Sequence, residues 1–164
     1  MKNRCPFPLF LITLLVTCCF VGCCFPNSSS MPFNGDVTFH ELQLTIPTTY
    51  IRDSTQSNED FWVFEQGGYD QLILLSRREL SGDPDTILDT YVGSMQEIGA
   101  TAQKTTFLNQ DAVHSTYTQE GVFCQEMLFI YNGSTYAIAL RGGTEEGFSA
   151  LLDSVNLTET SAEM

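Results

Sequence analysis

The chain has 164 residues, 43% of them hydrophobic, and its 20 acidic against 7 basic residues give a formal net charge of −13. That length suits one domain, large enough to bury roughly two-thirds of its unfolded surface. So negative a chain argues against a nucleic-acid surface, because phosphates repel it, and against attraction to anionic headgroups, which relies on clusters of Lys and Arg.

The first stretch decides where the rest of the chain resides. Lys2 and Arg4 form a short basic start, and the apolar run from Leu9 to Val21 follows. Its length falls within the roughly 7–15 residues of a signal core and below the about 20 of a membrane span. The run ends in Phe20-Val21-Gly22-Cys23, which resembles the lipobox of bacterial lipoprotein signal peptides. The resemblance implies cleavage before Cys23 and a lipid on its sulfur, with Gly22 as the small preceding residue. The pattern usually has Leu where Phe20 stands. An uncleaved signal anchor spanning Phe7–Phe25, or a palmitoylated one, remains open beside it. Either way Lys2 and Arg4 stay inside and the rest goes outward.

The predicted organisation is a signal peptide over 1–22, a tether over 23–36, one domain over 37–158 and a polar tail over 159–164. The tether is rich in Ser, Asn, Pro and Gly, which cannot offset the entropy of ordering by burial. All 20 acids follow Gly35, with Arg52, Arg77, Arg78, Lys104 and Arg141 as the only bases beside them. Cys124 is the single cysteine of the domain and reads as a small buried hydrophobe.

Alternation at Leu42, Leu44 and Ile46 predicts one half-buried strand over Phe39–Ile46, stopped by Pro47. A polar loop follows over Arg52–Asp60. Phe61–Glu65 and Gln71–Ser76 read as a hairpin turning at Gly67-Gly68. Asp83 and Pro84 have the chemistry of an N-cap and first helical position. Ile87, Leu88, Tyr91, Val92, Met95 and Ile98 recur at helical spacing on one face, and Gly99 suits the left-handed stop. Four strands then follow: Ala102–Leu108, Ala112–Thr118, Val122–Tyr131 and Thr135–Arg141. They are separated by Asn109-Gln110-Asp111, Glu120-Gly121 and Asn132-Gly133, connections so short that neighbours must be antiparallel. Thr144 caps a closing helix bearing Phe148, Leu151, Leu152 and Val155.

This order of elements resembles the PsbP-like fold, shared by PsbP photosystem subunits, a Ran-binding nuclear protein and DcrB-like envelope lipoproteins. The segments that carry it are Leu42–Pro47, Tyr131–Tyr136 and Phe148–Val155, within a likeness running from Phe39 to Leu157. The resemblance implies an α/β (α+β) fold, a three-layer αβα sandwich with a central antiparallel sheet, and a final short strand near Val155–Leu157. It also implies a module that binds protein partners.

Catalytic and metal patterns are missing from the sequence. His40 and Glu41 are adjacent, so on a strand they would face opposite ways, and His114 stands alone; no metal-ligand spacing occurs. No nucleophile elbow or phosphate-binding glycine loop is present, and no cofactor is expected. The acid pairs Asp83/Asp85 and Glu145/Glu146 both open helices, where the macrodipole accounts for them. Within Phe61-Trp62-Val63-Phe64, Trp62 belongs to the core if a helix covers it and is the candidate contact residue if it faces outward. The expectation is a noncatalytic, lipid-anchored module at the outer face of a cytoplasmic membrane, attached through Cys23 and meeting a protein partner. An envelope enzyme with a carboxylate site, of carbohydrate hydrolase type, and an assembly or chaperone-like component are the alternatives.

Overall fold

The computed structural model describes residues 35–158. The signal peptide, Cys23, nearly all of the tether and the polar tail lie outside them. The described residues form ten strands and two helices. A hairpin of β1 (Asp36–Phe39) and β2 (Leu42–Thr45) comes first. Next are β3 (Ile51–Arg52), β4 (Phe61–Gln66) and β5 (Gln71–Glu79). Helix α1 (Pro84–Glu97) leads to β6 (Thr101–Phe107), β7 (Gln110–Gln119), β8 (Val122–Tyr131) and β9 (Ser134–Arg141). Helix α2 (Glu145–Asp153) and β10 (Asn156–Leu157) close the fold. The strands make a seven-stranded sheet in the order β3-β4-β5-β9-β8-β7-β6 and a three-stranded sheet in the order β1-β2-β10. Every pairing is antiparallel.

Alternation along β9 assigns the two faces of the large sheet. Ala137 and Ala139 point one way, and Tyr136, Ile138 and Leu140 the other; all five are buried. On the first face, Leu88, Tyr91 and Met95 of α1 pack with Ala102, Val113, Leu128 and Ala137. On the second, the small sheet and α2 bring Phe39, Leu42, Leu44, Phe148 and Leu151 against Ile73, Phe129, Tyr136 and Ile138. The result is a mixed α/β sandwich whose middle layer is the large antiparallel sheet.

Helix α1 starts as its chemistry dictates. The Asp83 carboxylate accepts from the Thr86 backbone N–H at 2.9 Å and from its hydroxyl at 2.8 Å, satisfying donors the first turn leaves orphaned. Gly99 takes the left-handed conformation at φ 80°. At α2, the Thr144 hydroxyl accepts from the Gly147 N–H at 3.1 Å.

Three readings need correction. The strand expected over Phe39–Ile46 is instead a hairpin that turns at His40-Glu41, with His40 at φ 53°. Val37 and Phe39 alternate out of phase with Leu42 and Leu44, and the change of phase falls at the two turn residues. The β6–β7 turn is Leu108-Asn109, both with positive φ, so β7 begins earlier, at Gln110. A two-residue turn with both residues left-handed matches the twist of the strands it joins, and Asn109 suits that conformation. Ile98 does not belong to the buried stripe of α1; it is the C-cap and 54% exposed.

Full burial of a large apolar side chain is worth about 1.5–3 kcal/mol, and α1 has weak helix formers in Thr86, Thr90 and Gly93. Its packing therefore holds it in place. Leu88→Asp should lower stability by about 4 kcal/mol or more, the range reached when an unpaired charge is buried, as read by urea unfolding. A soluble, cooperatively folding variant of near wild-type midpoint would contradict the docking of this stripe.

Candidate contact surface around Trp62

Trp62 stands on β4 opposite Leu75, on the face shared with the small sheet. It is half-buried, so the structure gives neither the fully covered nor the fully exposed residue that the sequence left as alternatives. Its ring meets Phe39 edge-on at 5.1 Å and Phe64 at 6.3 Å. Phe39 comes from the β1–β2 hairpin, so Trp62 lies where the two sheets join. On the exposed side the Arg52 guanidinium sits 3.7 Å from the ring centroid, an arrangement stabilised by the ring quadrupole.

Beside it lies a charged network that the sequence did not disclose. His40 Nε2 is 3.0 Å from the Glu59 carbonyl and 3.3 Å from the Asp60 carboxylate. Arg77 Nη1 donates to the same carboxylate at 3.4 Å. The Tyr136 hydroxyl donates to Glu41, joining the hairpin turn to the middle of the large sheet. Burial pushes the Glu41 carboxyl up, but the Tyr136 hydroxyl, a backbone N–H and the charges of Arg77 and His40 outweigh it and leave it below the usual range. Burial and then the Glu41 carboxylate raise the Tyr136 phenol. Arg77 is pushed down by burial yet held above its ordinary value by Tyr136, Asp60 and Glu41. Adjacency of His40 and Glu41 counts against a shared role on a strand. In a turn they reach different partners, and the turn is what the sequence concealed.

The loop leading to Trp62 is polar, as expected, but it is built around a buried hub. The Asp53 carboxylate accepts from Thr55 N–H at 2.8 Å, from Thr55 hydroxyl at 2.6 Å, from the Gln56 amide at 3.2 Å and from the Tyr69 hydroxyl. Burial pushes Asp53 up, and these donors more than reverse it. The hub fixes the chain between Arg52 and β4, and with it the approach of Arg52 to Trp62.

Other residues singled out in the sequence have structural partners. His114 stacks on Phe148 at 5.8 Å, packing α2 onto the sheet. Cys124 is buried, outside any disulfide, and its Sγ lies 3.6 Å from the Val122 carbonyl. Asp83 is occupied as the α1 cap, and Glu145 and Glu146 open α2. No helix among the described residues is long and apolar enough to cross a membrane.

One titratable group lies on the opposite face. Glu126 of β8 is 1% exposed, registered between Ser115 and Ala139 beneath α1. Neither carboxylate oxygen has a hydrogen bond of full geometry among the described residues, and the nearest donor is the Tyr91 hydroxyl. Burial pushes its pKa up to about 7, offset in part by the Tyr91 hydroxyl, which pairs with Ser115 Oγ at 3.3 Å. Only its setting in the apolar run of β8 marks it in the sequence.

No known family's sequence profile matches the chain, and no curated protein matches it. Solved structures do. The cyanobacterial PsbP (CyanoP) of Synechocystis sp. PCC 6803 superposes with a TM-score of 0.52 at 11% identity, over 84% of this chain and 99% of that one. A Bacteroides thetaiotaomicron VPI-5482 protein solved at 1.50 Å gives 0.48 at 12% identity, over 73% of this chain and 46% of its own, so this chain spans under half of it. LpqN, involved in cell envelope biogenesis of Mycobacterium tuberculosis, gives 0.40 at 14%, over 79% and 81% of the two chains. The CyanoP likeness shows a PsbP-like fold; at that identity it speaks of fold alone.

The setting of Glu126 predicts a pH dependence. Its folded pKa lies above the ordinary glutamate value of 4.5, so between about 4.5 and 7 the folded state holds a proton that the unfolded chain has released. Stability should fall as pH rises through that window and level off above it. Glu126→Gln should flatten this slope and raise stability near pH 8 by on the order of 1–3 kcal/mol. Urea midpoints across that range are the measurement; an unchanged slope would place the titrating group elsewhere.

Proposed function

We propose that this chain is an accessory module of the cell envelope without catalysis of its own. A lipid on Cys23 holds it at the outer face of the cytoplasmic membrane, and it meets a protein partner through the surface around Trp62. The observation that carries the partner reading is the position of Trp62 and Arg52. A half-buried aromatic is braced from behind by Phe39 and Phe64 and stacked in front by a guanidinium, and these are the residue types that dominate binding energy at interfaces. The Asp53 hub and the Glu41–Tyr136 bond hold that pair in place before any partner arrives, which lowers the ordering cost of association. The lipobox-like Phe20–Cys23 supports the anchor, and stable attachment needs more than one acyl chain. The PsbP-like fold is compatible with such a role.

An envelope enzyme is the second reading, and Glu126 is the observation in its favour, because a carboxyl raised towards 7 suits general acid or base work. Its enclosure beneath α1 gives a substrate no approach, and the accessory reading is preferred for that reason.

Two experiments test the proposal. Labelling with a radioactive fatty acid should mark the wild-type chain and leave Cys23→Ala unmarked and released from membranes; label persisting on the variant would refute the anchor. A photoactivatable benzophenone amino acid at position 62 should give a discrete adduct in whole cells, whereas the same probe at exposed Thr105 on β6 should not. Equal adducts from both positions, or none from either, would refute the Trp62 surface.

A further inference from the structure

Cavities open on both faces of the large sheet among the described residues. One, about 220 Å³, lies beside α1 between Ile87, Tyr91 and Leu128. The other, about 440 Å³, lies between α2 and the β2–β3 connection, on the opposite face of the sheet. Ligand sites of ordinary size run from about 300 to 1,000 Å³, so the second has the capacity and the first falls short.

Ile73, Leu140 and Leu151 form the buried floor of this larger cleft, and exposed Thr45, Gly147 and Ala150 stand at its mouth. None of its twelve lining residues is charged, in a chain with 20 acids. Tyr50 and Gln71 supply its polar wall. The Tyr50 hydroxyl donates to Gln71 Oε1 at 3.0 Å. That engages the acceptor of the amide and leaves its nitrogen, with two donor hydrogens, uncommitted among the described residues.

The wall at the start of α2 is fixed by glycine. Gly142 has φ 75°, and a Cβ there would fall 2.3 Å from the Asp70 carbonyl oxygen; one on Gly143 would fall 2.3 Å from Leu140 Cδ2. The chain can turn from β9 into α2 this tightly only without side chains. Along α2, Gly147 and Ala150 then keep the mouth wide where a larger residue would close it.

We propose that this cleft binds a neutral, oxygen-rich ligand of monosaccharide size. The apolar floor takes a ring face, and the Gln71 amide donates to a ligand oxygen. An anion is disfavoured by the net charge and by Glu145 and Glu146 at the start of α2, and a cation finds no carboxylate in the lining. The cleft is a different surface from that around Trp62 and needs no lipid on Cys23.

The test is an amide-resolved NMR titration of the full chain in detergent with glucose, N-acetylglucosamine and glucuronate. The expected result is a saturable shift in the millimolar range, confined to Gln71, Gly143, Gly147 and their neighbours, for at least one neutral sugar, with glucuronate weaker. Ala150→Leu should abolish the shifts while leaving the melting temperature equal or higher, because it fills the mouth. Gln71→Met should weaken binding about tenfold by removing one hydrogen bond, and it decides the matter alone if the leucine variant does not fold. Shifts scattered over the surface, none with any sugar, glucuronate binding as well as glucose, or undiminished binding by the variants would each overturn the proposal.

Discussion

Strand β9 has no side for water. Every residue from Ser134 to Leu140 is buried, in a strand whose side chains alternate between two faces. That forces a layer onto each face of the sheet. The sequence meets the demand asymmetrically: alanines at 137 and 139 lie on the α1 face, Ala137 beneath the helix and Ala139 among Phe61, Val63, Leu72 and Leu74, whereas Tyr136, Ile138 and Leu140 face the small sheet and α2. The thin side lets α1 approach through Leu88, Tyr91 and Met95, and the bulky side supplies the larger core.

Two sheets stacked by apolar contact alone can slide, because that attraction has no direction. Here a directional bond fixes them. Tyr136 reaches from the centre of the large sheet to Glu41 in the hairpin turn, with Arg77 close to both. The same turn sets His40 against Asp60 and Phe39 against Trp62. The Trp62 surface is therefore a product of sheet-to-sheet alignment, and its geometry depends on a fully buried tyrosine.

Much of this fold was legible in the residues, and the legible parts share a cause. Asp83-Pro84, Gly99, Thr144, Glu120-Gly121 and Asn132-Gly133 announce themselves because their local chemistry admits few conformations. The β1–β2 hairpin did not, since its turn residues, His40 and Glu41, have little turn preference and only the change of phase between Phe39 and Leu42 marks it. Leu108 likewise adopts a left-handed conformation that only its partner strand explains. The site was harder still. Trp62 stood out by type, but its neighbours Arg52, Asp60, Arg77 and Glu41 are brought together by pairings distant in sequence. The isolation of Glu126 is a fact of packing that a strand pattern does not reveal.

The order of the large sheet leaves strands β3 and β6 at its two ends. Strand β3 has two residues and offers little backbone for another chain to join. Strand β6 has seven, Thr101-Ala-Gln-Lys-Thr-Thr-Phe107, and it is the long margin at which a second molecule could add a strand. Such margins are commonly protected by a lysine, whose charge is costly to trap between neighbouring backbones. Lys104 is at the centre of this one, tethered at 2.7 Å to Asp89 of α1. In a domain with so few bases, the placement of this one at the vulnerable rim disfavours the addition of a further strand there.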